Sequence, residues 1–121
     1  MLAPTLQVAL GGAVGAALRF QLGLALLRPG FPVAVLAANV LGSFLMGLAV
    51  VWLGQRGLAA WQPLLMTGVL GGFTTFSAFS LEAWTLWERG EAGQAALYVA
   101  LSVALSIGAL ASGVALARSA A

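Results

Sequence analysis

Asn39, Tyr98, Ser102 and Ser106 are the side chains of this sequence best suited to handling an ion. Tyr98, Ser102 and Ser106 recur every four positions, so on a helix their hydroxyls form one column about two turns long. Asn39 shares a helical face with Gly42, Ser43 and Gly47. All these donors are neutral: an amide or hydroxyl solvates an anion without a fixed positive charge that would trap it. Phe73, Phe76 and Phe79 are spaced at three, and the positive edge of a phenyl ring can flank an anion. Plainer uses fit the same residues. Serine hydroxyls bond the carbonyl four residues back, and phenylalanines fill cores or face lipid. Spacing leaves both uses open.

Two charged residues belong to the same question. Arg19 is the only basic residue clearly inside an apolar segment, a placement costly enough to suggest pairing or function. It is expected to snorkel toward the first loop, either drawing anions into a vestibule or without further consequence. Glu82 is at most a counter-charge for an arginine, because a fixed negative charge opposes anion entry. Asp, His, Cys and Lys are absent. Disulfides, thiolate or imidazole metal sites and nucleophile–base pairs are therefore excluded, and no enzyme is expected. Five scattered arginines make no basic stripe, so no nucleic-acid partner is expected.

These residues need a membrane to position them. Of 121 residues, 62% are hydrophobic and 7% charged, where a soluble domain carries about a quarter charged. The composition predicts an all-α integral membrane protein forming a single domain over residues 1–121. The N-terminus lacks a basic region and its apolar run is long, so it reads as a retained first span rather than a cleaved signal. Punctuation by "RPGFP", "GQRG" and "ERGEAG" predicts four spans at about 5–27, 33–53, 58–88 and 94–117. Trp52, Trp61, Trp84 and Trp87 fall near span ends, as an aromatic belt requires.

The third span is too long. As continuous helix, residues 58–88 would extend ~46 Å, against a hydrocarbon core of ~30 Å. At its middle lies "VLGGFTTFSAFS", where adjacent glycines and β-branched threonines are poor helix formers. A break near 73–75 is predicted, leaving half-helices at roughly 58–72 and 76–88. Irregular backbone at membrane depth must be buried in protein or line a polar cavity, and often marks an ion site. Close packing of small residues explains the same letters equally well.

Orientation is nearly balanced. Arg56 and Arg118 fall on one side and Arg28 and Arg89 on the other, with Arg19 as the tie-breaker. Such a chain inserts both ways and pairs about an in-membrane two-fold axis, or else a bias of one arginine fixes one orientation.

Three blocks of the sequence are together similar to the Fluc/CrcB fluoride channel family: "GGAVGAALRF", "ANVLGSFLMG" and "GVLGGFTTFSAFS". The Tyr98/Ser102/Ser106 column looks like that family's polar track. The resemblance implies an antiparallel, dual-topology homodimer in a prokaryotic inner membrane, with two pores that passively export fluoride. It assigns the anion pathway to Asn39, Phe76, Phe79, Tyr98, Ser102 and Ser106, and a vestibule to Arg19. It also implies a structural Na+ on the two-fold axis, held by the backbone carbonyls of Gly71 and Thr74 of each subunit. Two rivals are a small four-span proton-coupled drug exporter and a non-transporting assembly subunit. The exporter needs an embedded carboxylate, usually in the first span, where this chain has Arg19 and no acid.

Overall fold

The structure, a computed structural model, describes residues 2–27 and 29–120. Arg28, counted above in the charge balance, lies outside the described residues. Helix α1 (Pro4–Ala25) starts with a proline in its first turn, where a missing N–H costs no helical bond. Helix α2 (Val33–Gln55) follows the "RPGFP" turn. A short 3₁₀ turn (Ala59–Trp61), a π-helical segment (Pro63–Leu70) and a single α-turn, α3 (Gly71–Phe73), come next. Helices α4 (Phe76–Glu88) and α5 (Ala92–Ala120) complete the chain.

Two glycines set where helices stop. Gly57 and Gly90 adopt φ of +66° and +79° directly after the caps of α2 and α4. That left-handed step lets Leu58 N–H reach the Leu53 carbonyl at 2.8 Å, and Glu91 N–H the Leu86 carbonyl at 3.0 Å. Both are Schellman closures, which satisfy carbonyls that a helix end would otherwise leave bare.

Four stretches are long and apolar enough to cross a membrane: 4–25, 33–55, 59–88 and 92–120. Their boundaries differ from the expected ones by a few residues, most at the fourth, which winds further in both directions. Few of their residues are buried within the chain, so most of their apolar surface requires lipid or another copy as its surroundings. The structure corrects the sequence reading of span three: its first half is not ordinary α-helix. It begins as a 3₁₀ turn and then widens to π geometry, with Gly71 N–H donating to the Met66 carbonyl five residues back. The widening coincides with the close approach of α1. A Cβ on Gly68 would lie 2.9 Å from Gly11 Cα, and one on Gly72 would lie 2.6 Å from the Gly12 carbonyl oxygen. The small-residue surface of α1 thus serves backbone-to-backbone packing, as expected for GxxxG spacing. A second such seam joins α2 to α5, where a Cβ on Gly47 would lie 3.0 Å from Val114 N.

Candidate functional site

Between these seams the chain leaves helical geometry. Thr74 (φ −90°, ψ 156°) and Thr75 (φ −153°, ψ 122°) are extended, and α4 begins at Phe76. Asn39, on α2, fastens this step with both ends of its amide. Its Nδ2 donates to the Thr75 carbonyl at 3.1 Å, while its Oδ1 accepts from Thr75 N–H at 2.8 Å. The backbone supplies one acceptor and one donor, so the orientation of the amide is fixed by its partners. Thr75 then caps α4, its Oγ1 accepting from Ala78 N–H at 3.1 Å, the usual role of a threonine at a helix start.

This arrangement strips two carbonyls of their helical donors. A continuous helix would bond the Gly71 carbonyl to Thr75 N–H and the Thr74 carbonyl to Ala78 N–H. Asn39 Oδ1 takes the first N–H and Thr75 Oγ1 takes the second. Arg19 comes to the same place from α1, its Nε donating to the Gly72 carbonyl at 3.3 Å. The sequence reading sent this side chain toward the first loop; the guanidinium instead faces the backbone of the interrupted span. The Gly72 carbonyl, whose helical donor would be the Phe76 N–H at the start of α4, offers this half-buried cation local compensation.

A cavity of about 420 Å³ lies against this step, with Asn39, Ser43 and Met46 on one wall and Ser102, Ser106 and Leu110 on the other. Thr74, Thr75, Phe76 and Phe79 line its end. The oxygens of Tyr98, Ser102 and Ser106 are buried and bond no carbonyl of their own helix; the Tyr98 hydroxyl instead lies toward Ser102. That is not how serines behave elsewhere in the chain: Ser80 and Ser112 donate to the carbonyls four residues back, at 2.9 and 2.8 Å. Phe79 is buried, its centroid 5.3 Å from that of Phe76 and 5.3 Å from that of Tyr98. Phe31 meets Tyr98 edge-on, centroids 5.5 Å apart. Phe73, by contrast, is buried apart from this row, behind Gly42.

The residues expected from sequence to line the anion pathway therefore have locations. Asn39, Phe76, Phe79, Ser102 and Ser106 line one cavity. Tyr98 stands behind Phe79, and Arg19 is at the step. Sequence reasoning missed Phe31, which reaches Tyr98 from a loop, and the capping role of Thr75; a threonine just ahead of an apolar helical run was the available signal for the second.

Comparison with known proteins bears on the whole chain. Residues 6–114 match the model of the family described as CrcB-like protein, Camphor Resistance (CrcB). The chain belongs to the CrcB-like family. Among its relatives, a Ruegeria sp. (strain TM1040) protein named fluoride-specific ion channel FluC is 60% identical, over 98% of this chain and 97% of its own length. A protein of the same name from Cereibacter sphaeroides (strain ATCC 17029 / ATH 2.4.9) is 55% identical over 98% of this chain, and one from Paracoccus denitrificans (strain Pd 1222) is 50% identical over 93%. With four apolar spans and this membership, the CrcB-like chain is a multi-pass membrane protein. Its described residues contain no group of three or more His, Cys, Asp or Glu. The carbonyls of Gly71 and Thr74, hard, neutral and without their helical donors, are oxygens of the kind a small cation takes.

Proposed function

We propose that this CrcB-like protein is a fluoride-selective channel that lets the ion leave the cytoplasm passively across a prokaryotic inner membrane. The observation that carries the reading is the column of buried oxygens of Tyr98, Ser102 and Ser106, none of which is spent on a carbonyl of its own helix. A buried hydroxyl without a partner costs about 1–3 kcal/mol. A small anion passing along the column relieves that cost, because each hydroxyl can turn its proton toward it. The names of the relatives, all fluoride-specific ion channels, support the choice of fluoride over other anions.

Fluoride is small and strongly hydrated, so a route must replace lost water with closely placed donors. Ser102 and Ser106 supply hydroxyls and Phe76 and Phe79 supply ring edges. Asn39 has a second amide proton beyond the one given to Thr75. Arg19 supplies positive potential beside the break, and Glu82, the acidic side chain that acts on Tyr98, is not among the residues lining the cavity. Larger halides fail both the width and the donor matching. Passive flow suffices: hydrogen fluoride enters acid-exposed cells as a neutral molecule and dissociates, and the trapped anion then leaves down its electrochemical gradient.

The working unit in this reading is an antiparallel homodimer with two pores, the step at Thr74–Thr75 lying at mid-membrane. Phe76 is 77% exposed in the single chain, and Gly71 also faces outward. A second copy would bury both and bring two sets of Gly71 and Thr74 carbonyls together around Na+. The ion would supply positive charge that holds the two breaks in register. Reconstituted protein tests the reading: fluoride-loaded liposomes should empty rapidly, without chloride flux and without transport of drug cations. Equal chloride flux, or none of either anion, rejects it.

A further inference from the structure

A second cavity lies further along the same two helices, α2 and α5. On α2, Val50 and Gly54 continue the stripe of Asn39, Ser43 and Met46. On α5, Val114 and Arg118 continue that of Val103, Ile107 and Leu110. Both stripes advance by four, three, four and four residues, so each keeps to one side of its helix for the whole distance. This second cavity, of about 340 Å³, occupies this end, and its polar lining comes from Gln55 and Arg118. By helical rise, Arg118 lies ~18 Å beyond Ser106 along α5.

Charge is distributed unequally between the two ends of the bundle. Glu82, Glu88 and Glu91, the chain's only acidic side chains, all lie in the second half of span three or in the loop after it. Around the ends of α2 and α5 the charged side chains are Arg56 and Arg118. The guanidinium of Arg56 sits over the Trp52 ring, 5.9 Å from its centroid, and is not part of the groove. Arg118 is exposed and lines it.

We infer that Arg118, with Gln55 beside it, forms the charged outer mouth of the anion route and raises the rate at which anions enter the α2–α5 groove. The inference rests on the channel reading above. Its mechanism is long-range: a cation at the rim of a low-dielectric cleft concentrates counter-ions at the entrance without binding them tightly. Gln55 adds neutral donors where the ion first loses water.

Ionic strength separates this role from a structural one. The Debye length is ~30 Å at 0.01 M salt and ~3 Å at 1 M, so an arginine ~18 Å from the serine column is felt only in dilute salt. The full chain is reconstituted in vesicles of zwitterionic phospholipid, and fluoride efflux is followed with a fluoride electrode at both salt levels. Arg118→Gln should lower efflux about three-fold and Arg118→Glu about ten-fold in dilute salt, with both differences vanishing at 1 M. Arg118→Lys should retain wild-type efflux, and Arg56→Gln should change it less than Arg118→Gln. Undiminished efflux of Arg118→Gln in dilute salt, or a deficit that persists at 1 M, overturns the inference while leaving the channel reading intact. A wild-type chain that passes no fluoride at either salt level would remove both.

Discussion

Ser102 and Ser112 stand on the same helix and spend their hydroxyls differently. Ser112 donates to the Gly108 carbonyl one turn back, at 2.8 Å, and faces outward. Ser102 is buried against the α2–α5 groove, and its oxygen bonds no carbonyl of its own helix. Ser106 and Tyr98 behave like Ser102, while Ser80 and Thr85 on α4 behave like Ser112. A hydroxyl facing acyl chains must find an acceptor, and the carbonyl four residues back is always at hand. A hydroxyl kept from that bond in a buried position is held ready for something else. The comparison separates serines that satisfy only their own helix from serines available to a ligand.

Removing the available group should have the largest effect. The double variant Ser102→Ala/Ser106→Ala should lower fluoride efflux about 100-fold, taking each lost hydrogen bond to the ion as about 1.4 kcal/mol. Thermal stability in detergent should change little, since neither oxygen bonds a carbonyl of its own helix. Unchanged efflux would show that the column is idle. The next largest effect is expected at Asn39. Asn39→Asp keeps an acceptor for Thr75 N–H but sets a carboxylate against the Thr75 carbonyl and against the anion, so efflux should fall about ten-fold. Asn39→Ala leaves both Thr75 groups without the amide and should cost about 2 kcal/mol of stability, read as a lower denaturation midpoint. Full activity of the Asp variant would remove Asn39 from the anion's path.

Much of the frame was legible before any coordinates, because bilayer crossing imposes length and composition on a helix, and the turn residues at 29–32, 54–57 and 89–93 interrupt nothing else. The columns were legible for a similar reason: helical period fixes which residues of one segment share a face. What could not be read were the partners across segments. Asn39 and Thr75 are 36 positions apart, Arg19 and Gly72 are 53 apart, and nothing in either pair's own neighbourhood names the other. The π winding of 63–70 left no compositional trace either; it accompanies the approach of α1, a property of two segments together. Phe31 was hidden by its setting in a turn, where hydrophobic period carries no information.

A smaller effect should come from the rings beside the column, and it sharpens the contrast between buried and outward positions. Phe79 is 8% exposed and Phe76 77% in the single chain. Phe79→Ile should cost about 1–2 kcal/mol of stability by leaving a gap against Tyr98, whereas Phe76→Ile should cost less in the isolated chain's packing. Both should lower efflux several-fold if ring edges contact the ion; wild-type efflux in both would refute that contact. A loss of dimer, seen by crosslinking in Phe76→Ile alone, would instead assign that ring to the second copy.

The smallest effect is expected at Ser112, and it carries the control for the whole contrast. Its hydroxyl is already bonded within α5, so Ser112→Ala removes one exposed helical side-chain bond and nothing from the groove. Efflux should stay within about two-fold of wild type, and stability within about 0.5 kcal/mol, as for most substitutions away from special features. The single variant Ser106→Ala, measured alongside, should lose about ten-fold by the same reckoning as the double. If the two variants fell equally, self-bonding would no longer distinguish idle hydroxyls from working ones, and the hydroxyl column would lose its claim to the anion. If only Ser106→Ala fell, the distinction would hold for two serines on one helix, one lining the groove and one bonded to its own backbone.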